Sequence, residues 1–527
     1  VHFANFKNGF VEVSRSRPYL IFGIALLILF IACVNYINMS IAKTAKRLKE
    51  IGMRKTLGAQ KQQLFFQFWS ESLFVFLLSI TIGVVLSAVF LNDFKSMFNT
   101  QISSELLLSP VFLIGLLLTV LVITMLVGGY PALLMSRLGT IQSLKGKLES
   151  SGSNKVRNVL MVFQFGIAIL MIVGTLVLWG QIDYMRNKDL GFDKEQVVSF
   201  PLNGKRNSHD MVELLRDELS GNPDIISVSG SDSNLGLGKD GGRSSSGIGF
   251  EYKGRIVMTN FLVVNHEYIQ TLGLNVVAGR SFESAGDSLG VVINEAMAKE
   301  LGEQNPLVSQ LEIDDGVFYP VYGVVKDYNF TDLDREIAPM TFFMSRQQNL
   351  TYGFVKVSPA NMANSFAAIE SAWKKLEPNA EFLGSFVDEN IDRTFKQEKT
   401  TAKMIASGSI IAILLSCMGL FAMSLLIVSQ RTKEIGIRKV VGASVTSITY
   451  ILTKDFLKLV LIAFVIASPI AWWAMREWLQ NYAYKIELSI WYFVAAGALA
   501  LIIAFLTIGT RTVRAARANP VKSLRTE

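Results

Sequence analysis

The residues able to do chemistry are few, and they are scattered. Three histidines (His2, His209, His266) stand far apart, with no pair at metal-ligand spacing. The two cysteines, Cys33 and Cys417, both lie inside apolar runs, which argues against a disulfide framework and against a spaced-cysteine zinc site. Gly238-Lys239 could belong to a phosphate-cradling loop, but that pattern needs Gly at 233 and Ser or Thr at 240, where the chain has Ser233 and Asp240. Asp327 and Asp332 flank an aromatic strand end and read as turn formers. No nucleophile or paired-acid motif stands out, so the chain is not expected to be an enzyme, and no catalytic or metal-binding residue is assigned.

The information lies in a repeated charged segment. Residues 49–59 read KEIGMRKTLGA and residues 433–443 read KEIGIRKVVGA, identical at eight of eleven positions at an offset of 384. The same offset pairs Cys33 with Cys417, Met39 with Met423, Arg47 with Arg431 and Leu73 with Leu457. As repeat partners, the cysteines read as small buried residues rather than reactive thiols. Near the repeat ends Ser143-Leu144-Lys145 matches Ser523-Leu524-Arg525 at an offset of 380.

Half of the 527 residues are hydrophobic and 18% are charged, against roughly 25% charged in soluble chains. The deficit is concentrated in seven apolar runs of membrane-spanning length, near 19–42, 70–91, 111–135, 159–179, 404–428, 456–473 and 490–508. Trp472, Trp473, Trp478, Tyr482, Tyr484, Trp491 and Tyr492 form an aromatic belt at one membrane face. The net charge of +8 collects in 43–62, 136–158, 429–450 and the tail, so it reflects membrane topology; no nucleic-acid motif is present. The positive-inside rule places those basic segments and the C-terminus in the cytoplasm, and residues 182–403 outside.

The expected fold class is an α-helical membrane protein carrying two repeated three-helix units and an inserted α+β extracytoplasmic domain. The expected divisions are 1–18, the end of an outer domain; 19–147, the first unit; 148–181, a linker and the fourth span; 182–403, the outer domain; and 404–527, the second unit. By symmetry a span and an outer domain are expected to precede the first unit, making the chain a fragment of a protein with eight spans. Within 182–403, strands are expected at 197–201, 225–229, 256–264, 290–294, 317–325 and 352–357. Helices are expected at 211–219, 295–301 and 362–376, and 235–249 reads as a mobile Gly/Ser loop.

The spans hold almost no ionisable groups, so they offer no evident path for a coupling proton or sodium ion. Asn35, Asn38 and Gln164 read as helix cross-links. The charged segment reads as a helical continuation of the span before it. Gly58-Ala59 and Gly442-Ala443 then turn the chain into second helices at 60–71 and 444–455. These are expected to expose Leu64, Phe65 and Phe68, and Ile448, Ile451 and Leu452. Two equivalent segments suggest two docking surfaces for a two-fold symmetric cytoplasmic partner.

The KEIGxRKxxGA segments resemble those of the FtsX/MacB family of ABC transporter permeases. The tail Asn519-Pro520-Val521-Lys522-Ser523-Leu524-Arg525 resembles that family too, as do Val292-Ile293-Asn294-Glu295-Ala296 and Tyr322-Gly323-Val324-Val325-Lys326-Asp327. The first copy departs in its own tail, with Gly139-Thr140-Ile141 where the second has Asn519-Pro520-Val521. The resemblance implies a multi-pass bacterial inner-membrane permease that couples ATP hydrolysis to movement of its outer domains (mechanotransmission), for efflux or extraction of a substrate. It also implies a separate cytoplasmic ATPase dimer acting in trans. No cofactor is expected in this chain, since the ATPase would bind ATP and Mg. Membrane lipid is the surrounding partner, and the outer domain leaves room for an extracytoplasmic adaptor. The residues implied to couple the ATPase are Lys49, Glu50, Ile51, Gly52, Arg54, Lys55, Gly58 and Ala59, with Lys433, Glu434, Ile435, Gly436, Arg438, Lys439, Gly442 and Ala443. The alternative is a regulatory permease that transports nothing and controls an extracytoplasmic enzyme or signalling partner.

Overall fold

The structure is a computed structural model that describes residues 16–98, 105, 109–137, 151–242, 246–314, 316–329 and 336–517. His2, Gly139-Thr140-Ile141, Ser143-Leu144-Lys145, Asp332 and the tail motif 519–525 lie outside the described residues.

The first unit comprises α1 (Ser16–Lys46), α2 (Leu48–Thr56), α3 (Lys61–Phe98), α4 (Pro110–Ile123) and α5 (Gly129–Arg137). A π turn at Thr124–Gly128 joins α4 to α5 within the third span. The turn sits where Gly128 meets α3 so closely that a Cβ there would lie 2.6 Å from Ser72 Cβ. Helix α6 (Ser151–Asn187) leads to the α/β domain. Among the described residues seven helices are long and apolar enough to cross a membrane, in the order expected. In hydrocarbon every backbone N–H and C=O must be satisfied internally, and unbroken helices meet that requirement.

The α/β domain contains β1 (Val197–Pro201), α7 (Ser208–Leu219), β2 (Ile225–Ser231), β3 (Ser246–Tyr252), β4 (Arg255–Val263) and α8 (Tyr268–Thr271). There follow β5 (Val276–Gly279), β6 (Val291–Asn294), α9 (Glu295–Leu301), β7 (Gln310–Asp314), β8 (Val317–Val325) and β9 (Met340–Phe343). It closes with β10 (Tyr352–Val357), α10 (Met362–Leu376), β11 (Ser385–Phe386) and α11 (Val387–Thr394). One sheet runs β11-β1-β10-β2 and is antiparallel. The other runs β3-β4-β9-β6-β8-β5, with β7 on β8, and is mixed, since β4 pairs β9 and β6 pairs β8 in parallel. Trp373, Phe200, Phe354 and Phe342 are fully buried in its core.

The second unit comprises α12 (Lys396–Gln430), α13 (Thr432–Val440), α14 (Val445–Leu479) and α15 (Ile490–Arg517). Helix α6 packs on α12, α14 and α15, and α1 packs on α12. Small residues allow close approach: Ala463, Ala467 and Ala471 are buried at four-residue spacing on α14, with Gly166 of α6 against Ala467. Among the described residues the spanning stretch of α3 is unburied, so its apolar surface faces lipid. Cys33 and Cys417 are free and half-buried, less enclosed than expected.

Three expectations need correction. The segments 60–71 and 444–455 are not separate helices but the first turns of α3 and α14, because no Gly or Pro interrupts either segment before the apolar run. Conversely, the charged segments do not continue the preceding spans. The chain leaves helical geometry at Arg47 (φ −99°, ψ 7°) and Arg431 (φ −102°, ψ 12°) before α2 and α13 begin. The Gly/Ser stretch is held at both described ends. Leu235 is buried, Leu237 N donates to Asn390 O at 3.1 Å, Arg393 Nε donates to Leu237 O at 2.9 Å, and residues from 246 form β3.

The stretches around 294 and 327 meet. Asn294 Oδ1 accepts from Met297 N and Met340 N, both at 2.9 Å, which caps α9 and fixes β9. Asp327 Oδ1 accepts from Ala296 N at 2.9 Å, and Asp327 N donates to Glu295 Oε2 at 3.0 Å. Asp327 therefore closes a helix start; burial pushes its carboxyl above the usual range.

Gln181, fully buried near the end of α6, holds the loop between α14 and α15. Its Nε2 donates to Tyr484 O at 2.7 Å and its Oε1 accepts from Ile486 N at 2.9 Å. Gln181→Leu should strand two backbone groups at about 1–3 kcal/mol each. Hydrogen exchange at the Ile486 amide should then accelerate by roughly tenfold or more; an unchanged rate would show that the clamp does not hold the loop.

Candidate functional site

Each repeated segment forms a short helix closed by the same device. In the first copy Ala59 N donates to Arg54 O at 3.0 Å and Gly58 N to Lys55 O at 3.2 Å. In the second, Ala443 N donates to Arg438 O at 2.9 Å and Gly442 N to Lys439 O at 3.1 Å. This is the Schellman closure, which needs a left-handed residue after the helix. Gly58 (φ +91°) and Gly442 (φ +95°) supply it. The invariant Arg-Lys-x-x-Gly-Ala spacing is thus the footprint of a helix stop.

The stop folds each short helix back on the next one. Ile51 (1% exposed) packs with Leu64 (2%), and Ala59 and Phe68 lie against them. Ile435 (7%) packs with Ile448, Leu452 and Ala516. Gly52 and Gly436 are buried in the same hairpins. Leu64, Ile448 and Leu452 are therefore not exposed as expected; they form the hairpin interior, with Phe65, Phe68 and Ile451 half-buried.

Ion pairs tie the hairpins together at their surfaces. Glu50 pairs with Arg54 at 2.8 Å and Glu434 with Arg438 at 2.7 Å, each one helical turn apart. Half-exposed pairs of this kind contribute only about 0.3–0.5 kcal/mol. Arg47 bonds both carboxylate oxygens of Glu71, at 3.2 and 2.9 Å. In the second copy the equivalent acid is the shorter Asp455, and Arg431 instead lies 4.0 Å from Glu434. Lys55 Nζ donates to Ser136 O at 2.8 Å, joining α2 to the end of the third span. Burial, followed by the charge of Lys61, holds the Lys55 ammonium below its usual range. Lys439 is half-buried, and the side chains of Lys49 and Lys433 lie outside the described residues.

What each hairpin turns outward is a matched apolar set. Met53 and Ile437 are 54% and 50% exposed, Leu57 and Val441 88% and 82%, and Phe66 and Tyr450 60% and 67%. Each pair stands at the offset of 384. Sequence reasoning missed these residues because none belongs to the identical core of the motif; the available signal was apolar character kept at variable positions. Apolar residues so exposed in a basic, water-exposed segment fit a surface that a partner covers.

In the bilayer, Asn35 Nδ2 donates to Leu415 O, and Thr175 Oγ1 lies 3.0 Å from Ser409 Oγ, so α12 is linked to α1 and to α6. Asn38 and Gln164 do not act as the expected cross-links. Asn38 is fully buried with neither amide atom bonded among the described residues, and Gln164 Nε2 is likewise unbonded. Among the described residues no three His, Cys, Asp or Glu side chains converge where a metal ion could sit. His209 instead bonds Gln348 O at 2.8 Å, and His266 lies 3.6 Å from Glu267. The geometry provides two like-built hairpins with matched apolar tips.

The FtsX-like permease C-terminal family matches residues 22–140 and 406–520, one match on each three-helix unit. The macrolide export ATP-binding/permease protein MacB of Bdellovibrio bacteriovorus is 27% identical over 147 residues, which cover 27% of this chain and 21% of the relative. The uncharacterized ABC transporter permease YknZ of Bacillus subtilis is 23% identical over 327 residues, 58% of this chain and 79% of the relative. The chain spans about a fifth of the length of the MacB relatives it matches. Among solved structures, the periplasmic region of MacB from Actinobacillus actinomycetemcomitans aligns at 17% identity and a TM-score of 0.30, covering 40% of this chain and 97% of that one. The chain thus carries the FtsX-like permease unit twice, with an α/β domain between the copies, and is similar to ABC transporter permeases of the FtsX/MacB family.

Proposed function

We propose that the chain is the membrane permease subunit of an ABC transporter. In this reading a separate cytoplasmic ATPase dimer docks on the two hairpins, and its ATP-driven closure moves them. The spans carry that motion to the α/β domain outside, for efflux or extraction of a substrate. The observation that carries the reading is the pair of Schellman-closed hairpins, built alike in both copies and presenting Met53, Leu57 and Phe66 opposite Ile437, Val441 and Tyr450.

Three further features support it. Each hairpin is the start of a spanning helix, so displacement at its tip displaces the span. Helices α3 and α14 have 38 and 35 residues, about 50–57 Å at 1.5 Å per residue, well beyond the ~30 Å hydrocarbon core. The basic residues cluster beside the hairpins, which by the positive-inside rule supports a cytoplasmic position for those segments and the C-terminus. The spans supply no chain of ionisable groups, which suits a permease that works by moving rather than by conducting an ion. The residues from Lys49 to Ala59 and from Lys433 to Ala443 act here as couplers; ATP and Mg belong to the partner.

Two outcomes are expected. Leu57→Glu with Val441→Glu should weaken co-purification of the ATPase by roughly tenfold or more, as for loss of buried anchors worth more than 1 kcal/mol each. Retention at the wild-type level would remove the docking surface. Gly52→Pro with Gly436→Pro should break α2 and α13 at about 3 kcal/mol or more per site. That complex should still assemble but lose substrate-linked ATPase activity; a coupled, fully active double variant would contradict the lever.

A further inference from the structure

A cavity of about 350 Å³ lies where the α/β domain joins the span of α12, lined by Asp392, Arg393, Lys396, Lys399, Thr400 and Lys403. Four cations face one carboxylate, and that carboxylate is already shared. Asp392 lies 3.2 Å from Arg186 and 3.2 Å from Lys399. Arg393 is turned inward, donating to Leu237 O, Ser385 and Asn390, and lies 3.6 Å from Glu389, so its charge is already met. Lys396 and Lys403 are exposed, and neither ammonium has a partner among the described residues. The cavity thus holds unneutralised positive charge at the edge of the bilayer.

The same face of α12 changes character at once. Lys396, Lys399 and Lys403 recur at helical spacing, followed on that side by Ser407, Ile410 (59% exposed), Leu414 (59%) and Met418 (55%), with Ile411 (45%) beside them. The opposite side is occupied by protein: Gly408 lies against Met171 and Ile24, and Ala412 is buried. From Lys403 to Leu414 is about 16 Å at 1.5 Å per residue, the depth of one leaflet of a ~30 Å hydrocarbon core.

We propose that this stripe binds an anionic phospholipid, its phosphate held by Lys396, Lys399 and Lys403 and its acyl chains lying along Ile410, Leu414 and Met418. A free phosphate would use the lysines and leave the apolar strip idle; the continuity of the two on one helix face selects the lipid. The lipid stands at the base of the α/β domain, in the leaflet nearest to it. This proposal does not depend on the coupling role of the hairpins.

The test uses the full chain in nanodiscs of phosphatidylcholine doped with phosphatidylglycerol, with retained lipid counted by native mass spectrometry. Wild type should retain phosphatidylglycerol selectively. Lys396→Gln with Lys403→Gln should lower that retention by roughly tenfold or more, since each lysine near an anionic surface contributes a similar share. Lys396→Arg with Lys403→Arg, which keeps the charge, should hold it, and glycerol phosphate at equal concentration should not displace the lipid. The proposal is overturned if the Gln pair retains lipid like wild type, if the Arg pair loses it equally, or if glycerol phosphate displaces it.

Discussion

The packing of one isoleucine on the next helix sets the shape of each repeated hairpin. Ile51 against Leu64, and Ile435 against Ile448 and Leu452, fix each short helix to the start of a span. Without that contact the charged segments would be solvated loops, since their surface ion pairs are too weak to order them. With it, α2 and α3, and α13 and α14, become bent units whose long arms are single helices of membrane-spanning length. The left-handed glycine makes the contact possible by stopping the short helix at the right residue, which is why Gly and Ala recur at the same distance from Arg-Lys in both copies.

The hairpins meet an asymmetric bundle. Helix α6 packs mainly on the second unit and also touches α1, which itself packs on α12. Glycine permits the tightest crossings: a Cβ on Gly408 would stand 2.7 Å from Met171 Cε, and one on Gly419 would clash with Asn35 Oδ1. Helices α6 and α12 are also the two connections of the α/β domain to the membrane. The Thr175–Ser409 contact bridges these two helices, while Asn38 and Gln164 Nε2 are buried without a hydrogen bond among the described residues.

Much of this was legible in the sequence. The spans follow from hydropathy and the two units from the repeat, and β8, β10, α9 and α10 begin and end where periodicity places them. The strands that were missed are short, Gly-rich or acidic: β5 and β9 have four residues, β11 two, β3 starts in Ser-Gly-Ile-Gly, and β7 reads Gln-Leu-Glu-Ile-Asp. Such strands owe their existence to their neighbours in the sheet rather than to their own propensity. At the hairpins, helical spacing marked Leu64 and Ile448 as apolar but not which way they face. The break at Arg47 that turns Ile51 onto Leu64 has no Gly or Pro to announce it, so inside and outside were exchanged. The positive φ at Gly58 and Gly442, by contrast, was visible in advance because few other residues tolerate it.

The most direct test of the lever is a distance. Spin labels at positions 62 and 446, exposed beside the two hairpin tips, and a second pair at 205 and 258, in the α/β domain, can be followed by pulsed electron resonance in the full permease–ATPase complex. On ATP binding the tip-to-tip distance should shorten and the distance distribution within the domain should stay fixed. A third pair, 258 with 163 on α6, should shift in the same step as the tips. Tips that move while the 258–163 distance stays constant, or tips that do not move at all, would contradict the transmission of force from the hairpins to the α/β domain.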